Sequence, residues 1–246
     1  MFSASTPFRR SFLLALCIAA LAAIPASAET TTFSNGLEGW EGPQGPGGAS
    51  FIDAGNGNPA PSYRTQFNNF GITFSNNSNP DFIGDYTAAP SVTISTDVLT
   101  TLINFFGQDV SRDWVLELRD YDNPPGGFPW VSVWYDYADI SAAQPGWRNF
   151  SVTIADTSAT DLPPGWGGYG AEDPVTFEPE LPADRTFTSV LAGVDEIAFT
   201  TLTPGFFFGF SDHDVSIDNL TVQFIPEPGT SLLLALPAAI LLIRKR

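Results

Sequence analysis

Between residues 29 and 225 the chain is written in short runs that alternate apolar and polar side chains, each stopped by glycine, proline, asparagine or aspartate. Alternation with period two is the pattern of a strand with one buried and one solvated face. Trp114, Leu116 and Leu118 share one parity, with Glu117 and Arg119 on the other. Phe150, Val152 and Ile154 alternate with Asn149, Ser151 and Thr153. Val92-Thr93-Ile94 and Glu196-Ile197-Ala198-Phe199-Thr200-Thr201 are further strands. The one helical spacing is Phe187, Val190, Leu191 and Val194, after Asp184 as a candidate N-terminal cap. Strands with one apolar face must bury it against a second layer. The expectation is an all-β fold: a two-sheet antiparallel β-sandwich, or jelly roll, with Trp114, Leu116, Leu118, Phe150, Val152, Ile154, Ile197 and Phe199 in its core. In the last strand, Val215 and Ile217 have one parity and Leu220, Val222 and Phe224 the other, so a β-bulge is expected across Asp218 and Asn219.

The two ends read differently. Arg9 and Arg10 precede an apolar run from residue 12 to 21, followed by Pro25 and the small triplet Ala26-Ser27-Ala28. Residues 1–28 are therefore expected to be a secretory signal peptide cut before Glu29, read by the general secretory translocon and signal peptidase. At the other end stand Pro226-Glu227-Pro228, an apolar run over 231–243, and Arg244-Lys245-Arg246. As a helix that run spans about 20 Å, shorter than the roughly 30 Å hydrocarbon core, so it reads as a short transmembrane anchor. The three basic residues would act as a stop-transfer signal and stay cytoplasmic.

This order of triplet, apolar helix and basic end over residues 226–246 resembles the PEP-CTERM sorting family. The resemblance implies that Pro226, Glu227 and Pro228 are read by an exosortase-like membrane transpeptidase. It also implies an exported protein of a Gram-negative-type bacterium, held briefly at the inner membrane, then placed on the cell surface or in the extracellular matrix, associated with exopolysaccharide and biofilm.

The body invites a second comparison. Gly36-Leu37-Glu38-Gly39-Trp40, the Gly84-Asp85 turn, Gly146-Trp147 and Ile217-Asp218-Asn219-Leu220 follow one another in an order similar to laminin B-like and carbohydrate-binding jelly rolls. That resemblance implies adjacent first and last strands, and a binding or adhesive module. It also implies a structural calcium near the ends of the sandwich. Asp212, Asp214 and Asp218 share one strand parity, and Glu38 approaches them if the terminal strands adjoin. The spacing matches no defined calcium loop, so a solvated acidic edge is the preferred reading and calcium the alternative.

Charge and motif content exclude several chemistries. The chain has 27 acidic and 10 basic residues, a formal net charge of -17, and its body holds only Arg64, Arg112, Arg119, Arg148 and Arg185 as cations. Such a surface repels phosphate backbones, so nucleic-acid binding is not expected. The lone Cys17 falls in the leader, and His213 is the single histidine, so disulfides and His- or Cys-rich zinc sites are excluded. His213, between Asp212 and Asp214, reads as a surface-turn residue. Asp120-Tyr121-Asp122-Asn123 opens like a calcium loop, but Pro124 and Pro125 occupy positions that need an oxygen ligand and a glycine. No nucleophile elbow, metalloprotease or phosphate-loop motif occurs. The richest binding candidate runs from Phe128 to Tyr137. One parity carries Trp130 and Trp134, the other Tyr135 and Tyr137; core packing accounts for most of them as well, and aromatic side chains left exposed there would stack on sugar rings. The expected activity is a non-enzymatic surface or matrix protein. The alternatives are a carbohydrate-binding module acting on exopolysaccharide and a secreted glycan-active enzyme with paired carboxylates.

Overall fold

The computed structural model describes residues 27–226. The leader up to residue 26, Glu227 and Pro228 of the triplet, the apolar run and Arg244, Lys245 and Arg246 lie outside the described residues. No helix among the described residues is long and apolar enough to cross a membrane.

Fifteen strands follow one another: β1 (Ser27–Thr31), β2 (Trp40–Glu41), β3 (Gly48–Asp53), β4 (Ser62–Asn69), β5 (Thr73–Asn76), β6 (Ser91–Phe105), β7 (Gln108–Asp109) and β8 (Arg112–Asp120). Then come β9 (Val131–Ile140), β10 (Arg148–Ile154), β11 (Trp166–Tyr169), β12 (Ala171–Glu172), β13 (Pro179–Glu180), β14 (Glu196–Thr200) and β15 (Ser211–Ile225). One sheet has the order β10-β6-β15-β4-β3, with β1 against β15 and β7 against β6. The other has the order β11-β9-β8-β14-β5-β2, and β12 and β13 form a small separate ribbon. The pairings within both main sheets are antiparallel. The architecture is all-β with two main sheets, as the alternation predicts.

The core forms where the inward parities meet. All eight residues expected inside are buried, among them Trp114, Leu116, Leu118, Ile197 and Phe199. Phe199 stacks on Trp114 at 6.1 Å with an interplanar angle of 11° and tilts against Trp40 at 5.8 Å. Aromatic burial of this kind carries the largest apolar area per residue in a sandwich core. The first and last strands do adjoin, since β1 pairs with the far half of β15 from Ser27↔Phe224 to Thr31↔Leu220. β1 thus begins two residues before the expected signal cut. The bulge is where parity places it: the register of β15 on β6 shifts between Asp218 and Thr221, and Asn219 has φ 50°. There β15 exchanges β4 for β1 along one edge while β6 follows it along the other.

Three local expectations are corrected. The helix α1 (Phe187–Leu191) is capped by Thr186, not Asp184: Thr186 and Ser189 make a reciprocal capping box. Val194 lies beyond it and bridges to Gly84. His213 is not on a surface turn. It lies within β15 at 2% exposure, with Nδ1 3.3 Å from the Phe67 carbonyl, and burial lowers its pKa, so the ring is neutral. Third, Glu117 points away from the core as expected but is not solvated, being 2% exposed. Something covers the outer face of β8 and β14, and that cover defines the site.

Candidate functional site: a cleft on the outer face of one sheet

The outer residues of the six-stranded sheet can be read row by row from strand register. One row crosses β14, β8, β9 and β11 through Glu196, Arg119, Ser132 and Tyr169. The next runs Glu41, Ser75, Ala198, Glu117, Trp134 and Gly167. A third holds Thr73, Thr200, Val115 and Asp136. Over β14 and β8 these rows form the floor of a cleft of about 700 Å³. Tyr121, Trp130 and Tyr169 line one end, and Phe70, Leu202, Phe206 and Phe207 line the other. From Glu196 to Thr200 the floor extends about 13 Å along the strand.

An ion triad organises the first end. Arg119 donates from Nε (2.8 Å) and Nη2 (2.5 Å) to Oε2 of Glu117, and from Nη1 to Oε1 of Glu196. Oε1 of Glu117 accepts from Trp130 Nε1 at 2.8 Å and Ser132 Oγ at 2.6 Å. The Arg119 guanidinium lies 4.1 Å from the centre of the Trp130 ring. Burial alone would lower the pKa of Arg119, but the charges of Glu117 and Glu196 overcome it and hold the pKa above the ordinary value. Two carboxylates on one buried cation leave a net negative floor whose hydrogen-bonding capacity is largely consumed internally.

Aromatic rings stand on this base. Trp130 meets Tyr121 edge-on at 6.0 Å and Tyr169 at 6.2 Å. Burial, with the neighbouring carboxylates Glu196 and Glu117 respectively, raises the pKa of Tyr121 and of Tyr169, so both phenols stay protonated through the physiological range. At the opposite end the loop after β14 brings Phe207 to 4.5 Å from Phe70, and Phe207 is 75% exposed. Threonine hydroxyls of Thr73 and Thr200 meet at 2.8 Å between the two aromatic ends.

The four aromatic candidates separate. Trp130 lines the cleft. Trp134 is on the same face but lies over Gly167, where a Cβ would come within 2.2 Å of its ring, and its Nε1 donates to the Gly168 carbonyl at 3.2 Å. Tyr135 and Tyr137 point inward against the core, with the Tyr137 hydroxyl donating to the Ile94 carbonyl at 3.2 Å. Sequence reasoning missed Tyr121, Tyr169, Glu196 and the Phe206–Phe207 wall. Parity had put Glu117 and Arg119 on this face, but pairing β8 with β14 is a long-range fact that alternation does not carry.

The acidic residues considered for calcium do not converge. Asp214 takes a bidentate contact from Arg64 at 2.7 Å and a third donor from Gln66. Asp212 accepts from Asn68, Asp218 from the backbone of Asn58 and Asn219, and Glu38 from Asn35. Among the described residues, the three-carboxylate group whose oxygens lie within 4.8 Å of one another is Asp120, Asp122 and Asp195. There Arg185 Nη1 donates to Asp120 at 2.9 Å and supplies the positive charge.

No protein-family model matches the chain, and no curated protein matches it. Solved structures similar in shape include a family 11 carbohydrate-binding module of a cellulosomal cellulase of Clostridium thermocellum, at 14% identity over 82% of this chain and 96% of that one, TM-score 0.45. Another is the C-terminal family 22 carbohydrate-binding module of a Clostridium thermocellum protein, at 11% identity over 82% and 95%, TM-score 0.40. An exo-β-agarase matches at 14% identity over 81% of this chain but 26% of its own, TM-score 0.47. At these identities and scores the likenesses assign neither a family nor a ligand.

Proposed function

We propose that the described domain is a non-catalytic glycan-binding module, carried by an exported protein whose tail directs it to the cell surface or matrix. The observation that carries this reading is the cleft: aromatic rings at both ends, hydroxyl groups between them, and a buried Glu117–Arg119–Glu196 triad that fixes the floor. Sugar rings offer an apolar face to aromatics and hydroxyls to polar groups, which is the complementarity such a surface supplies. An enzyme reading is favoured only by the two glutamates in one cleft. Against it, Glu117 already accepts four hydrogen bonds, so it has no lone pair free for a glycosidic oxygen or a water. Its geometry is that of a scaffold.

Binding of soluble polysaccharides and a glycan array tests the reading. Replacing the exposed wall residues Tyr121 and Phe207 by alanine, singly, should weaken binding by about tenfold or more, or roughly 1.4 kcal/mol, with the fold intact. Wild-type affinity in both variants would remove the cleft as the site. Sorting through Pro226, Glu227 and Pro228 by an exosortase-like partner, and the link to exopolysaccharide, rest on the tail sequence. Changing the triplet to alanine in a host with such machinery should leave export intact and retain the full-length protein in the inner membrane. Unaltered processing would argue against sorting by the triplet.

A further inference from the structure

The charge state of the ligand can be read from the same cleft, on the premise that the cleft binds glycan. An acidic polysaccharide, bearing uronate, sulfate or pyruvate groups, needs cations or free N–H donors at its binding site. The described residues contain five cationic side chains, and each is committed within the protein. Arg119 has Nε and Nη2 on Glu117, Nη1 on Glu196, and one face against Trp130. Arg64 is held by Asp214 and Asp53, and Arg185 by Asp120 and the Asp122 carbonyl. Arg112 is buried, donating to the Ser111 carbonyl and Ser211 Oγ with Phe208 5.0 Å from it. Arg148 belongs to β10 in the other sheet, lies over the Phe150 ring, and donates to the Asp139 carbonyl and Gln144.

The cleft lining has the opposite sign. Glu41, Glu117 and Glu196 face it against Arg119 alone. The remaining polar lining is Asn69, Thr73, Ser75, Thr200, Thr203 and the two protonated phenols, all of them neutral. Around it the domain carries every acidic residue of the chain but Glu227, so the long-range field is also negative. We infer that the cleft selects an uncharged glycan chain and rejects polyanionic polysaccharides. The exopolysaccharide that such a module would hold is then a neutral one, or the neutral stretch of a mixed polymer.

The experiment uses matched polymers: one neutral β-glucan and one neutral mannan, each beside its C6-carboxylated counterpart, titrated by calorimetry at 50 mM and 1 M sodium chloride. The neutral member of at least one pair should bind with an affinity that salt leaves unchanged. Its carboxylated counterpart should bind at least tenfold more weakly at low salt. That gap should narrow at 1 M, where the Debye length falls from about 10 Å at 0.1 M to about 3 Å. Equal or tighter binding of a carboxylated polymer would overturn the charge assignment and leave the glycan reading standing. Absence of binding across both pairs and a wider array would overturn the glycan reading and the charge assignment together.

Discussion

Glu117→Ala is the substitution that most sharply separates a structural floor from a dispensable surface charge. Glu117 and Arg119 side chains are only 3% and 11% exposed. Removing the carboxylate strands the guanidinium on Glu196 alone and leaves the Trp130 and Ser132 donors without their acceptor. Breaking a buried pair from one side costs about 3–5 kcal/mol. For a domain of this size that is a fall in melting temperature of about 6–20 °C. The companion variant Glu117→Met with Arg119→Met and Glu196→Met removes all three charges of the triad and nearly keeps the volume. Since buried pairs replaced by apolar side chains are often near neutral, it should be more stable than Glu117→Ala. Urea unfolding followed by tryptophan fluorescence measures both. A Glu117→Ala variant within 1 kcal/mol of wild type, or a triple variant less stable than the single, would refute the reasoning.

Three further outcomes follow from the same physics. Phe199→Ala, at a site packed between Trp40 and Trp114, should cost about 3–5 kcal/mol in urea unfolding. Thr186→Ala should cost about 1 kcal/mol through the lost capping box, with Thr186→Ser largely restoring it. Burial alone would raise the pKa of Asp214, but its hydrogen bonds from Arg64 and Gln66 prevail and hold it below the ordinary value. Its folded pKa thus lies under the unfolded one, so this stability is full above about pH 3.9 and is lost as pH falls through the lower folded pKa. Asp214→Asn should therefore destabilise by about 1–3 kcal/mol at pH 7 and by far less near pH 2, read from thermal melts across pH.

The parts of the fold governed by local alternation were legible in advance. Arg148–Ile154 buries every second residue, and the parity switch across Asp218 and Asn219 announces the bulge that lets β15 change partners. The site was legible only in fragments. Alternation aimed Glu117 and Arg119 outward, and it paired Trp130 with Trp134, but nothing local says that β14 lies beside β8 or that Trp130 folds back over Arg119. The calcium expectation shows the same limit. Asp212, Asp214 and Asp218 share a parity, yet β4 supplies Asn68 and Gln66 opposite Asp212 and Asp214, and Arg64 one step further along opposite Ser216, and answers two of those carboxylates with side-chain donors. His213 misled for a related reason: flanking aspartates suggest a turn, while Val215 and Ile217 share its parity and all three are buried within β15.

The central claim is that ligand enters the cleft over β14 and β8. Its most direct test is a nuclear magnetic resonance titration of the isotopically labelled domain with the tightest-binding neutral oligosaccharide from the array. The indole N–H of Trp130, the Nε–H of Arg119, and the amides of Tyr121, Tyr169, Thr200 and Phe207 should shift together with one dissociation constant, while the amides of β3, of β10 and of residues 62–67 stay in place. Shifts confined to the other sheet, or to the inward-facing neighbourhood of Tyr135 and Tyr137, would contradict it.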